Sequence, residues 1–150
     1  MGHTFSRILL HAIFSTKGRT NRLYRDMRDD LYAYIYGVAR NLAVHVIKAG
    51  GVDDHVHLLL HLKPVHAPSE VVRDLKANSS KWIHETYPRL HDFAWQSGFG
   101  IFSVSESAVP EVVAYIERQE EHHRRVPFAE EFRCFLERHG VKYDPKHYLD

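Results

Sequence analysis

Two histidines, His55 and His57, stand one residue apart in the run GGVDDHVHLLLHLKP that covers residues 50–64. Read as a strand, the run splits by parity. Val56, Leu58, Leu60 and Leu62 point to one face, and His55, His57, Leu59 and His61 to the other. Imidazoles two residues apart on one side of a strand sit roughly 6.5–7 Å apart at Cα. Both rings can then converge on one divalent cation. Asp53 and Asp54, just upstream, can offer a carboxylate that holds a ring tautomer. The pair opens a very apolar strand, where a polar residue needs a reason. Gly50-Gly51 suits a tight hairpin turn, which would set the pair near a sheet edge within reach of a substrate.

A second group lies far downstream, in VPEVVAYIERQEEHHRR. This reads as one helix from Pro110, a residue tolerated in a first turn, to about Arg125. Val109, Val113 and Ile116 make one face; Glu111, Tyr115, Gln119 and His122 make another. Tyr115 and Gln119 are one turn apart and can act together. No core requires a tyrosine among glutamates and arginines, although an amphipathic tyrosine half-covering the surface accounts for it equally well.

Several elements must position these groups. Residues 7–17, RILLHAIFSTK, are rich in strand formers with imperfect alternation, as in a central strand covered on both faces. TKGRTNR follows as a basic turn. Leu23, Met27, Leu31, Ile35, Val38 and Leu42 recur at helical spacing and predict a helix over 23–42 with a buried stripe. Tyr32, Tyr34 and Tyr36 flank it as packing residues. Residues 43–49 read as a strand that pairs with the His55/His57 strand. A second helix runs from Ser69, its N-cap, to about Tyr87. It is apolar through Val71, Val72, Leu75, Trp82 and Ile83. Its Arg73, Lys76, Ser80 and Lys81 suit phosphates, and a solvated face explains them equally. FAWQSGFGIFSVS holds two short strands around Gly98-Phe99-Gly100. Phe99, between two glycines, is the aromatic placed for exposure and for stacking on an unpaired base.

Taken together, these stretches resemble the small single-strand DNA transposases of the insertion-sequence 200/605 family. They also resemble the relatives associated with repetitive extragenic palindromes, all within the HUH endonucleases. The likeness rests on GGVDDHVHLLLHLKP, then WQSGFGIFSVSES, then YIERQEEHH, and it extends over roughly residues 5–148 to FAEEF, LERHGVKYD and HYLD. The family carries a basic stretch like residues 16–22, which makes Lys17, Arg19 and Arg22 DNA-binding candidates beside Arg73, Lys76, Ser80, Lys81 and Phe99. Relatives often have tyrosine where Phe99 stands. The resemblance implies that Tyr115 is the nucleophile and that Gln119 joins His55 and His57 as the third ligand of one Mg²⁺ or Mn²⁺. The implied reaction cleaves and rejoins single-stranded DNA with hairpin ends through a 5′-phosphotyrosine. A phenol with pKa about 10 suits this, because its phenolate leaves more readily than an alkoxide and the joint can be reversed by a 3′-hydroxyl. Two imidazoles and an amide are uncharged and leave the cation its full charge for the phosphate. Nitrogen ligands favour Mn²⁺ over Mg²⁺. A structural zinc would take four closed protein ligands, and no thiolate stands nearby.

Two other readings stay open. His55-Val56-His57 with His61 is similar to the histidine-triad nucleotide hydrolases, but the third histidine should fall at 59, where Leu59 stands. A four-stranded sheet with two helices is also similar to RNA-recognition domains, and a domesticated relative would bind nucleic acid without cutting. The element order implies an α+β, ferredoxin-like or RNA-recognition-like antiparallel sheet in a single domain over 1–150. Helices 23–42 and 69–87 should cover one face, with the histidines and the C-terminal catalytic helix on the other. An apolar hairpin invites pairing with a second copy. The resemblance implies a homodimer in which the tyrosine helix crosses to the partner over a flexible connection at residues 103–109.

Composition agrees with this reading. The net charge is only +1, yet residues 1–50 hold eight Lys/Arg against three acids, while residues 101–150 hold seven against ten. A basic first third suits an anionic partner. The single cysteine, Cys134, excludes an internal disulfide and fits a reducing compartment such as the cytoplasm. No apolar run reaches the length of a membrane span, and no small-molecule cofactor motif is present.

Overall fold

Residues 8–15 lie at the centre of the molecule. In the computed structural model, which describes residues 2–150, they form β1 (Ile8–Ser15), flanked by β3 (His55–Leu62) and β4 (Gly100–Ser103). β2 (His45–Gly51) borders β3, and the order is β2-β3-β1-β4, antiparallel throughout. Helix α1 (Arg25–Asn41) connects β1 to β2, and α2 (Pro68–Thr86) connects β3 to β4. This β-α-β-β-α-β order is the ferredoxin-like arrangement, with the expected assignment of faces.

Parity assigns the sides. Ala12 and Phe14 of β1, with Val56, Leu58, Leu60 and Leu62 of β3, form one core with Met27, Leu31, Ile35 and Ala39 of α1 and Val71, Val72, Leu75 and Ile83 of α2. Burying each large side chain contributes about 1.5–3 kcal/mol. His11, Ile13 and Ser15 point to the other face, opposite Leu59, His57 and His55 in register. There α3 (Val109–Glu117), α4 (Gln119–His123) and α5 (Phe128–Arg138) pack, around a smaller core of Ile13, Phe102, Phe128, Phe132 and Leu136.

Several local expectations change. Gly50 and Gly51 are not the hairpin turn: they pair with His57 and Val56, and residues 52–54 make the turn. The glycines serve close approach instead. A Cβ on Gly50 would lie 2.8 Å from the Ile116 carbonyl oxygen, and one on Gly51 would collide with the His55 carbonyl. Residues 93–105 supply one strand rather than two. Trp95 makes only a bridge to Thr16, because its ring is drawn inward between Phe14 and Phe93 and its Nε1 donates to Ser79 Oγ at 3.0 Å. Pro68 takes the first turn of α2, so the cap is Ala67 rather than Ser69. The expected helix over 110–125 breaks at Arg118 (φ −97°, ψ 21°), which separates α3 from α4. α5 has no counterpart in the sequence expectations. The connection at 103–109 is anchored: Val104 N donates to Leu9 O, Arg7 pairs with Glu106 at 2.6 Å, and residues 106–108 form a 3₁₀ turn. Among the described residues, no helix is long and apolar enough to cross a membrane.

Candidate active site

The parity of β3 turns both His55 and His57 under the α3–α5 layer, and both are fully buried. Their outer nitrogens are held from behind. His55 Nδ1 lies 2.7 Å from Asp54 Oδ1, the carboxylate contact expected upstream, and His57 Nδ1 lies 2.8 Å from His11 Nε2. Each ring therefore presents Nε2 to the same point. Gln119, the first residue of α4, is buried there. Its Oε1 is 3.3 Å from His55 Nε2, and its Nε2 donates to the Tyr115 carbonyl. Tyr115 comes from the last turn of α3, its ring centroid 5.7 Å from that of His57. The two imidazoles, the phenol and the amide singled out in the sequence are thus brought together within one chain. The tyrosine helix does not reach away from the sheet, because Gly50 lets it lie directly on β2 and its upstream connection is anchored.

Sequence reasoning missed three members of this group: Glu131, His123 and His11. Glu131 of α5 is buried in the middle of it. Its Oε1 lies 3.1 Å from His57 Nε2 and 3.4 Å from His55 Nε2. Its Oε2 accepts the Tyr115 hydroxyl and lies 3.1 Å from His123 Nε2 and 3.3 Å from His122 Nε2. His11 supports His57 from the adjacent strand. The available signal for Glu131 was the spacing of Phe128, Phe132 and Leu136, which makes FAEEFRCFLER an amphipathic helix with an acid beside its apolar stripe. Asp53, the other upstream acid, pairs with Arg28 instead.

The electrostatics follow from burial and these contacts. Burial works against charge on His55, but the hydrogen bonds to Asp54 and Glu131 outweigh it and lift its pKa to about 9. Burial dominates at His57 and lowers it to about 4. Burial opposes charge on Glu131 as well, yet the imidazoles of His123, His55 and His57 against it hold its carboxyl well below the usual range. Burial, then the Glu131 carboxylate, pushes the Tyr115 phenol well above its ordinary value. A divalent cation fits this donor set: two oriented Nε2 atoms, an amide oxygen and a carboxylate facing one point.

The DNA-binding candidates divide. Lys17 and Arg19 lie in a 3₁₀ turn after β1, at the His55 end of the sheet, with Lys17 exposed and Arg19 donating to the Leu149 carbonyl. Arg22 pairs with Asp92 at 2.5 Å. Arg73, Ser80 and Lys81 are on α2, across the sheet from the histidines, and are not brought to the cluster. Lys76 is committed to the carbonyls of Gln96 and Gly98, at 2.6 and 2.8 Å. Phe99 is half-buried against the α1–α2 core and borders a shallow depression with Ser69, Arg73 and Lys76. A larger cleft, not foreseen, opens beside the cluster between Arg25, Arg28, Asp54, Glu120, His123 and Arg124.

Comparison with known proteins agrees with this arrangement. The model of the family described as "Transposase IS200 like" matches residues 4–119. The chain is 31% identical over 114 residues to the ISDra2 transposase TnpA of Deinococcus radiodurans, covering 73% of this chain and 81% of that protein. It is 24% identical over 125 residues to the transposase for insertion sequence element IS200 of Salmonella typhimurium, covering 79% and 81%. A Deinococcus radiodurans crystal structure assigned to a transposase superposes with a TM-score of 0.66 at 26% identity, over 79% of this chain and 96% of that one. A REP-associated tyrosine transposase bound to a REP hairpin shares the fold, with a TM-score of 0.62 at 17% identity over 84% and 74%. The family match spans both histidines, the tyrosine and the glutamine, and the chain belongs to the IS200-like transposases.

Proposed function

We propose that this transposase cleaves single-stranded DNA by attack of Tyr115 on a phosphodiester. The phenol loses its proton, its oxygen bonds to phosphorus, and the bond to the 3′ oxygen breaks. That oxygen takes a proton and leaves as a free 3′-hydroxyl, while the 5′ side stays on Tyr115. Attack by a 3′-hydroxyl on the phosphotyrosine rejoins the strand. The single observation that carries this reading is the meeting of Tyr115, His55, His57 and Gln119 in one buried cluster. His55, His57 and Gln119 would hold one Mg²⁺ or Mn²⁺, which supplies Lewis-acid charge to a phosphate oxygen when bound. Asp54 and His11 keep the two Nε2 atoms directed at that point. Lys17 with Arg25 and Arg124 of the adjoining cleft offers cations for the strand's phosphates.

The substrate in this reading is single-stranded DNA with hairpin ends, acted on in the cytoplasm; the REP-associated relative is bound to a REP hairpin. A second copy of the chain is the other partner the resemblance implies, and the sheet leaves β2 and β4 as edges for it. Nucleotide hydrolysis by a histidine triad has no support, because Leu59 faces His11 in the position a third histidine would need. The test is Tyr115→Phe with labelled single-stranded DNA and Mn²⁺. The variant keeps DNA binding and forms no covalent adduct on a denaturing gel. An adduct that persists assigns the nucleophile elsewhere.

A further inference from the structure

We infer that the cation site is completed by Glu131 and His123, so that α4 and α5 supply two protein ligands beyond His55, His57 and Gln119. The inference rests on the metal-dependent reading above and deepens it. Four donors, from His55, His57, His123 and Glu131, all lie within 4.8 Å of one another. Glu131 Oε1 faces both strand histidines, at 3.1 and 3.4 Å, and Oε2 lies 3.1 Å from His123 Nε2.

A second observation points the same way. His123 Nε2 is buried and has no hydrogen-bond partner, because its approach to Glu131 lacks the geometry of a hydrogen bond. A buried nitrogen left unsatisfied costs about 1–3 kcal/mol. A cation at the centre of the four donors satisfies it. The carboxylate faces the same centre: it is almost fully buried, and its contacts among the described residues are imidazoles and the Tyr115 hydroxyl. The family model matches residues 4–119, so both residues lie outside the span it matches.

The chemistry of the set defines the ion. Three imidazoles and a carboxylate favour Mn²⁺ or a later transition ion over Mg²⁺, which prefers oxygen ligands and retains water. The carboxylate also lowers the net charge that the ion presents to phosphate. It keeps its other oxygen on the Tyr115 hydroxyl, so one side chain links the ion to the nucleophile.

The experiment measures Mn²⁺ binding by the DNA-free protein, using the electron paramagnetic resonance of free Mn²⁺, in the wild type and in Glu131→Gln, His123→Gln and His57→Ala. Melting in EDTA first establishes that each variant is folded; Glu131→Asp, which withdraws the carboxylate by one methylene, replaces Glu131→Gln if that variant is not. Wild type binds one ion, and both Glu131→Gln and His123→Gln bind it roughly tenfold or more weakly. Nitrogen couplings to bound Mn²⁺ report three imidazoles in the wild type and two in His123→Gln. If these two variants bind like the wild type while His57→Ala does not, the inference fails and the His55/His57 site stands. Unchanged binding by His57→Ala overturns the underlying metal reading itself.

Discussion

A single methyl group tests whether the seat of α3 sets the reach of the nucleophile. In Gly50→Ala the new Cβ would stand 2.8 Å from the Ile116 carbonyl oxygen and from Ile116 Cγ2. Ordinary contact begins at 3.4 Å, so the helix must rise by about 0.6 Å. Because the clash is with backbone, no rotamer change absorbs it. Ile116 directly follows Tyr115, and the phenol moves with it. Misplacing a reacting group by about 1 Å costs roughly a hundredfold in rate; a rise of about 0.6 Å costs on the order of tenfold, or about 1.4 kcal/mol in the barrier. Overpacking costs about 1–3 kcal/mol of stability, which a domain of ordinary stability survives. The assay is single-turnover formation of the covalent DNA adduct, with Mn²⁺ affinity measured alongside. Gly37→Ala is the control, since nothing lies within 4 Å of a Cβ there. The expected result is a roughly tenfold slower adduct with Mn²⁺ affinity nearly unchanged. An adduct formed at the wild-type rate refutes the reasoning, and so does loss of Mn²⁺ binding in proportion to the rate.

Two further outcomes follow from the same cluster. Mixing His57→Ala protein with Tyr115→Phe protein, with exchange of any subunits verified, should leave cleavage absent, because Tyr115 lies on the histidine cluster of its own chain; regained activity would place the tyrosine in a partner's site. In EDTA, thermal stability should peak near pH 6.5. Folding raises His55 to about 9, so its contribution is complete below about 6.5 and is lost as pH rises through 9. Folding lowers His57 to about 4, so stability falls as pH drops from about 6.5 toward 4. Melting curves should show both limbs, with the upper one absent in His55→Gln.

What could be read from the sequence was what is local. The parity of HVHLLLHL places its histidines and leucines on the faces they occupy, and the stripe of Met27, Leu31 and Ile35 defines α1 within two residues at either end. Gly50-Gly51 misled because the pair serves two purposes in proteins. Turn geometry is legible in a dipeptide, whereas the approach of Ile116 from across the chain is not. Lys76 had the right charge for a phosphate and was claimed instead by carbonyls of the 96–98 loop. His11 and Glu131 were unreadable as site residues for a related reason. Each becomes chemical only through a neighbour 46 or 74 residues away along the chain.

The two sides of the sheet are unequal in a way that bears on local opening. The α1–α2 side is bound by a large continuous apolar core, while α5 rests on a smaller cluster through Phe128, Phe132, Phe135 and Leu136. Segments with few buried apolar contacts open at a fraction of the global unfolding free energy. Amides of α5 should therefore exchange with solvent sooner than those of β1 and β3, as a cooperative unit. Each such opening carries Glu131 off the Tyr115 hydroxyl while Asp54 and His11 still hold the strand histidines. Such opening would leave the phenol engaged by a carboxylate in the closed form and free in a sparsely populated open one. The exchange rate of one short helix becomes a clock for how often the nucleophile is released.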